Sequence, residues 1–237
     1  MPLRDHFRPP VTDRVQWSSF NAVWVVSLVG WLNRTLPHDE YIAQAQLHLG
    51  TKIEADVSKF QIEDNHCGHR NGSVLTLPAV AAPVVTIPAI FPDEYEVQIK
   101  DRIGNLLLAG AIEIVSPGNK KELNERHAFV AKCVSYLRQG VGLVIIDVVT
   151  GRLANFHNEL MAAIGGSNPH SLDHGVGTYV AGYRPVHRNS GNEIDIWPYT
   201  VMVGDVLPSV PLGLRSGPVV PLDLEGTYCD ALKLSGL

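Results

Sequence analysis

The stretch that most constrains the fold is residues 141–150, Val-Gly-Leu-Val-Ile-Ile-Asp-Val-Val-Thr. A largely continuous apolar, β-branched run of this kind is what a strand buried on both faces looks like. Just before it, residues 121–138 carry Phe129, Val130, Cys133 and Leu137 as an apolar helical stripe, stopped by Gly140. Before that helix, residues 94–100 and 106–115 read as a hairpin turning through 101–105, which contains Gly104.

The remaining segments extend the same order. Trp17, Phe20, Val23, Trp24, Leu28, Trp31 and Leu32 recur in steps of three and four, which predicts a helix beginning at Asp13. Thr12 or Asp13 is placed to cap it, and Pro37 follows its end. Residues 41–49 alternate apolar and polar and read as a strand, and residues 52–61 as a second one. Residues 74–92 are apolar but hold Pro78, Pro83, Pro88 and Pro92. Proline cannot donate to a ladder, so this stretch is expected as an extended strap and not as a central strand. Residues 151–174 read as a helix and a glycine- and histidine-bearing loop, 179–186 and 192–197 as another hairpin, and a last helix starts near Asp223. Helix, strand, strand, hairpin strand, helix, strand is an α/β order. It is expected in one domain spanning 1–237, with an N-terminal arm, the strap and a C-terminal extension.

Composition narrows the function classes. With 45% hydrophobic and 18% charged residues the chain can bury a real core. Its formal net charge of −5 argues against simple coating of DNA, where phosphate neutralisation supplies the affinity. A nuclease with a local basic groove remains open. Cys67, Cys133 and Cys229 are too few and too widely spaced for a disulfide framework, which predicts a reducing, cytoplasmic setting. The longest apolar stretch, 20–32, is interrupted by Asn21 and Ser27 and is too short to span a bilayer, so no membrane partner is expected. Residues 219–224 are apolar enough to dock on a second subunit in a homo-oligomer or to close the protein's own core.

Glu113 is the most informative single residue. It is the only ionisable group between Arg102 and Lys120. A charge in a buried strand costs several kcal/mol unless it is paired or bound to metal. It is read either as a strand-end carboxylate that has reached solvent or an arginine or as a functional acid. Asp147 is a second lone acid in an apolar strand, so the signal is shared. Asp56 falls on one face with Lys52, Glu54 and Ser58, which by alternation is a solvated strand face. Lys132 lies at the edge of its helix's apolar stripe, where lysines commonly snorkel. Lys120 and Lys121 open the same helix, where the dipole prefers acids. His66, Cys67 and His69 bring three donors close together, but structural zinc takes a distant second pair, and none is well spaced. His170 and His174 near Asp173 are equally suggestive. There is no Walker loop, dinucleotide fingerprint or nucleophile elbow.

The string Ile-Glu-Ile-Val-Ser-Pro-Gly-Asn-Lys at 112–120 resembles the E-V-L-S-P-x-N-K signature of a bacterial family of unknown function. Residues 140–149, with their G-V-x-L-V-x-I-D-type run, resemble a second signature of that family. Ile196-Trp197-Pro198, the run 205–211 and the run 220–224 resemble its C-terminal one, and the opening Met-Pro-Leu-Arg-Asp-His-Phe resembles one of its branches. That family is similar to the Uma-two group of the PD-(D/E)XK restriction-endonuclease-like superfamily. The resemblance implies a core of helix, three strands, helix and strand, here with extra C-terminal strands and a helix. It implies Asp56 as the strand aspartate, although Ala55 stands where proline is usual, and Glu113 as the acid of the E-x-K element. Val115 replaces that element's lysine. In the Uma-two group the lysine lies on the following helix, four residues before a tyrosine. Lys132 before Tyr136 matches that spacing, with Lys120 as the second candidate.

What the resemblance implies is metal-dependent phosphodiester hydrolysis of DNA or RNA. Asp56 and Glu113 would hold Mg²⁺ (or Mn²⁺), and Lys132 or Lys120 would stabilise developing charge. The competing expectation is a non-catalytic nucleic-acid or protein-binding adaptor, with the carboxylates in a structural ion pair to Lys132 or Arg126. A zinc hydrolase using His66, Cys67 and His69 is a third class.

Overall fold

A computed structural model describes residues 1–37, 39–48, 94–102, 106–165, 171–173, 177–188 and 191–237. The elements are α1 (Trp17–Thr35), β1 (Tyr41–His48), β2 (Glu94–Asp101), β3 (Leu107–Ile114), α2 (Leu123–Arg138) and β4 (Gly142–Asp147). After these come α3 (Phe156–Ala163), β5 (Tyr179–Arg188), β6 (Gly191–Thr200), β7 (Ser209–Gly213), β8 (Val219–Asp223) and α4 (Leu224–Leu234). The expected second strand at 52–61 and the strap at 74–92 lie outside the described residues.

Six strands form one sheet in the order β1-β2-β3-β4-β5-β6, so among the described residues β3 and β4 are its two middle strands. That position explains their unbroken apolar runs, because each is paired on both edges and covered on both faces. Every neighbouring pair is antiparallel except β3 and β4, which run parallel. A parallel pair needs a crossover, and α2 is that crossover. It leaves the end of β3 and returns to the start of β4.

The period of two divides each strand between two cores. Ile112 and Ile114 of β3 join Val144 and Ile146 of β4 against Phe20, Trp24, Leu28 and Leu32 of α1. Ala111 and Val115 join Leu143 and Ile145 against Phe129 and Cys133 of α2 and Phe156 and Leu160 of α3. Glu113 shares the parity of Ala111 and Val115, so it faces α2. Among the described residues no helix is long and apolar enough to cross a membrane.

One sequence expectation is corrected: α1 starts at Trp17 with Gln16 as its N-cap, and neither Thr12 nor Asp13 caps it. Residues 11–14 form a turn instead, with the Arg14 and Val15 amides both donating to the carbonyl of Val11. The helix between β4 and β5 is Phe156–Ala163, capped by Asn155. The proline-rich C-terminal region contains a hairpin, β7–β8. Pro211 and Pro221 stand directly opposite each other in it. Neither has an N–H to give, so they share a pair that needs no ladder bond. Val210, Leu212, Val220, Leu222 and Leu224 are buried against α1 and α4. Thus residues 220–224 close the protein's own core, and Asp223 caps α4 through the amide of Gly226 (2.8 Å).

The hairpin comes so close to the main sheet that only glycine fits between them. A Cβ built on Gly142 of β4 would lie 1.6 Å from the carbonyl oxygen of Gly213 in β7.

Candidate active site

Glu113 and Glu96 are direct cross-strand partners in the antiparallel β2–β3 pair. Directly opposite side chains project to the same face, and like charges so placed repel. Both residues are buried, at 2% and 0% exposure. The fold therefore places two acids side by side in an apolar wall, and something must compensate them.

The compensation comes from α2. Lys132 and Tyr136 are four residues apart and so share one helix face. Lys132 Nζ lies 3.0 Å from Glu113 Oε2 and 3.6 Å from Glu96 Oε2. Its ammonium also sits 5.6 Å from the centre of the Phe129 ring. The Tyr136 hydroxyl donates to Glu96 Oε2 at 2.9 Å, and the Gln98 amide donates to Glu96 Oε1. Glu113 Oε1 is buried and, among the described residues, receives no hydrogen bond.

These surroundings drive the two acids apart. Burial alone would raise Glu96, but its contact with Glu113, the charge of Lys132 and the donors Gln98 and Tyr136 together hold it below the ordinary carboxylate range. Glu113 is pushed well above that range, chiefly by burial and further by the Glu96 charge, with Lys132 opposing. Burial and the same two carboxylates also raise the Tyr136 hydroxyl, which therefore stays a donor. Chemically, the pair is one ionised carboxylate beside one that holds a proton or takes a cation in its place.

The second lone acid has a different partner. Asp147 Oδ2 lies 2.7 Å from Lys120 Nζ, and both side chains are fully buried. Lys120 also donates to the carbonyls of Arg152 and Gly177, each at 3.2 Å. The preceding S-P-G-N turn delivers the lysine. Asn119 Oδ1 accepts from the Ser116 amide (2.8 Å) and hydroxyl (2.9 Å), and the Asn119 amide donates back to Ser116 Oγ (3.3 Å). Burial raises Asp147 to about 7, against the pull of Lys120. Lys120 thus serves Asp147 and is not brought to Glu113.

Of the residues read from sequence, Glu113 and Lys132 come together. Asp56 lies outside the described residues, as do His66, Cys67, His69, His170 and His174, while Asp173 is exposed. Arg126 pairs with Glu159 and not with the site. Among the described residues no three His, Cys, Asp or Glu side chains gather into a metal-binding group. Nothing local in the sequence marks Glu96 or Gln98 as site residues. Glu94-Tyr95-Glu96-Val97-Gln98 alternates like any strand with one polar face, and only the register with β3 reveals that this face is covered by α2. The one signal in the sequence is the spacing of Tyr136 from Lys132, four residues apart. No protein-family model matches the chain, and neither does any curated protein or solved structure.

Proposed function

We propose that the chain is a metal-dependent nuclease on a restriction-endonuclease-like core, with Glu96, Glu113 and Lys132 in its active site. One observation carries the reading. Glu96 and Glu113, buried and directly opposite each other, turn oxygens toward the same Lys132 ammonium, at 3.6 and 3.0 Å. Two adjoining carboxylates placed in this way are a donor set that a hard divalent cation takes. The oxygen-only donors and the unsatisfied Glu113 Oε1 suit Mg²⁺ or Mn²⁺.

The order of elements supports the same reading. Among the described residues, helix, three strands, helix and strand run in sequence as α1, β1, β2, β3, α2 and β4, the order that the superfamily resemblance implies. The position that holds the lysine of the E-x-K element is Val115, which is buried in the second core. Lys132 reaches the same carboxylate from α2. In this mechanism Glu96 and Glu113 bind the cation, and Lys132 stabilises charge developing on the phosphate. A bound metal would supply polarisation of the phosphate and a water of lowered pKa.

The adaptor reading draws on the contact of Lys132 with both carboxylates, which already brings a cation to the pair. Titration of Mn²⁺ by calorimetry separates the two. The nuclease reading expects binding by the parent that is lost in Glu113→Gln and in Glu96→Gln, and metal-dependent cleavage of DNA or RNA that is lost with it. No binding by the parent, or a Glu113→Gln variant that cuts as well as the parent, would falsify it.

A further inference from the structure

We infer that Tyr136 and Gln98 are positioning residues that fix Glu96 for cation binding, an inference that rests on the metal-site reading above. Glu96 is the one carboxylate of the pair with a neutral donor on each oxygen, Tyr136 on Oε2 at 2.9 Å and Gln98 on Oε1. The two donors come from different elements, α2 and β2 itself. Together they hold the plane of the carboxylate beside Glu113, its direct cross-strand partner. Glu113 has no such support. Its Oε2 meets Lys132 at 3.0 Å, and among the described residues its Oε1 accepts no hydrogen bond.

The two acids therefore have unequal parts. Glu96 is held in place before a cation arrives, and Glu113 presents the unsatisfied oxygen that a cation completes. Outer hydrogen bonds of this kind orient ligands, and their loss typically weakens metal affinity by about 10–100-fold. Tyr136 is well suited to the task. It lies one helical turn beyond Lys132, so the helix that brings the cationic side chain also brings the donor that steadies the carboxylate.

The test is Mn²⁺ affinity by calorimetry on the full chain, in the parent, Tyr136→Phe and Gln98→Leu, with the thermal midpoint of each measured without metal. Tyr136→Phe removes one oxygen and leaves the ring's packing. The expected result is a loss of about 10–100-fold in Mn²⁺ affinity in each variant, with partial recovery in Gln98→Asn, which keeps an amide donor. A purely structural role would shift the midpoint and leave the affinity unchanged, so affinities within twofold of a metal-binding parent overturn the inference while leaving the metal site standing. A parent that binds no Mn²⁺ overturns both, and the parent titration alone identifies that case. Should Gln98→Leu fail to fold, Tyr136→Phe decides.

Discussion

Replacing Lys120 by Met tests the buried pair with Asp147. Methionine fills much of the lysine stem's volume, so the change removes charge and donors with little cavity. It takes the ammonium from 2.7 Å off Asp147 Oδ2 and leaves the carbonyls of Arg152 and Gly177 without their donor. Removing one partner of a buried pair costs about 3–5 kcal/mol. The figure depends on pH because Asp147 can take up a proton. With lysine present its folded pKa is already raised from 3.8 to about 7, and without lysine it rises further. A carboxyl with a raised folded pKa favours the folded state fully below its unfolded value. That contribution is lost as pH climbs through the folded one. The variant is therefore expected to lose about 3–5 kcal/mol at pH 8. At pH 5 the carboxyl is neutral, and the loss falls to about 1–3 kcal/mol for the unsatisfied carbonyls. For a chain of this size the larger figure corresponds to a midpoint lower by about 6–20 °C. Urea denaturation of parent and variant at both pH values measures it. A cost below about 1 kcal/mol at both pH values, or a larger cost at pH 5 than at pH 8, refutes the reasoning.

Two further outcomes follow from packing. Gly142→Ala drives a methyl group into the Gly213 carbonyl, 1.6 Å from its oxygen, and is expected to lower stability by at least the 1–3 kcal/mol typical of overpacking; an unchanged midpoint contradicts the close approach of β7 to β4. Leu222→Ala, at a fully buried position of β8, is expected to cost about 2–5 kcal/mol in a single denaturation transition, whereas a separate early transition would mean that the hairpin is not part of the main core.

How much of this was legible in the sequence depended on how local the cause was. The run at 141–150 announced β4 because burial on both faces is written into the strand itself. Glu113 stood out for the same reason, a charge where the strand allows none. Asp147 gave an identical signal, and nothing local distinguishes the two. Their difference lies in which lysine each meets, Lys132 from mid-helix or Lys120 from the turn before it, and that is decided by the path of the chain between β3 and β4. Glu96 was hidden because polar alternation on a strand looks the same whether the polar face meets water or a helix. The β7–β8 hairpin was hidden by Pro211 and Pro221, which argue against a strand until it is known that they face each other.

The parallel step from β3 to β4 has a consequence for how the protein tolerates change. Every side chain that the described residues bring to the candidate site lies between Glu96 and Tyr136, on β2, β3 and the helix that follows them. The hairpin fixes the two acids against each other, and the helix returns over that same hairpin. The constellation is thus a cassette, set by its own internal register. A single residue inserted in β2 or β3 would turn one acid to the opposite face of the sheet. Variation in length is therefore not expected inside the cassette.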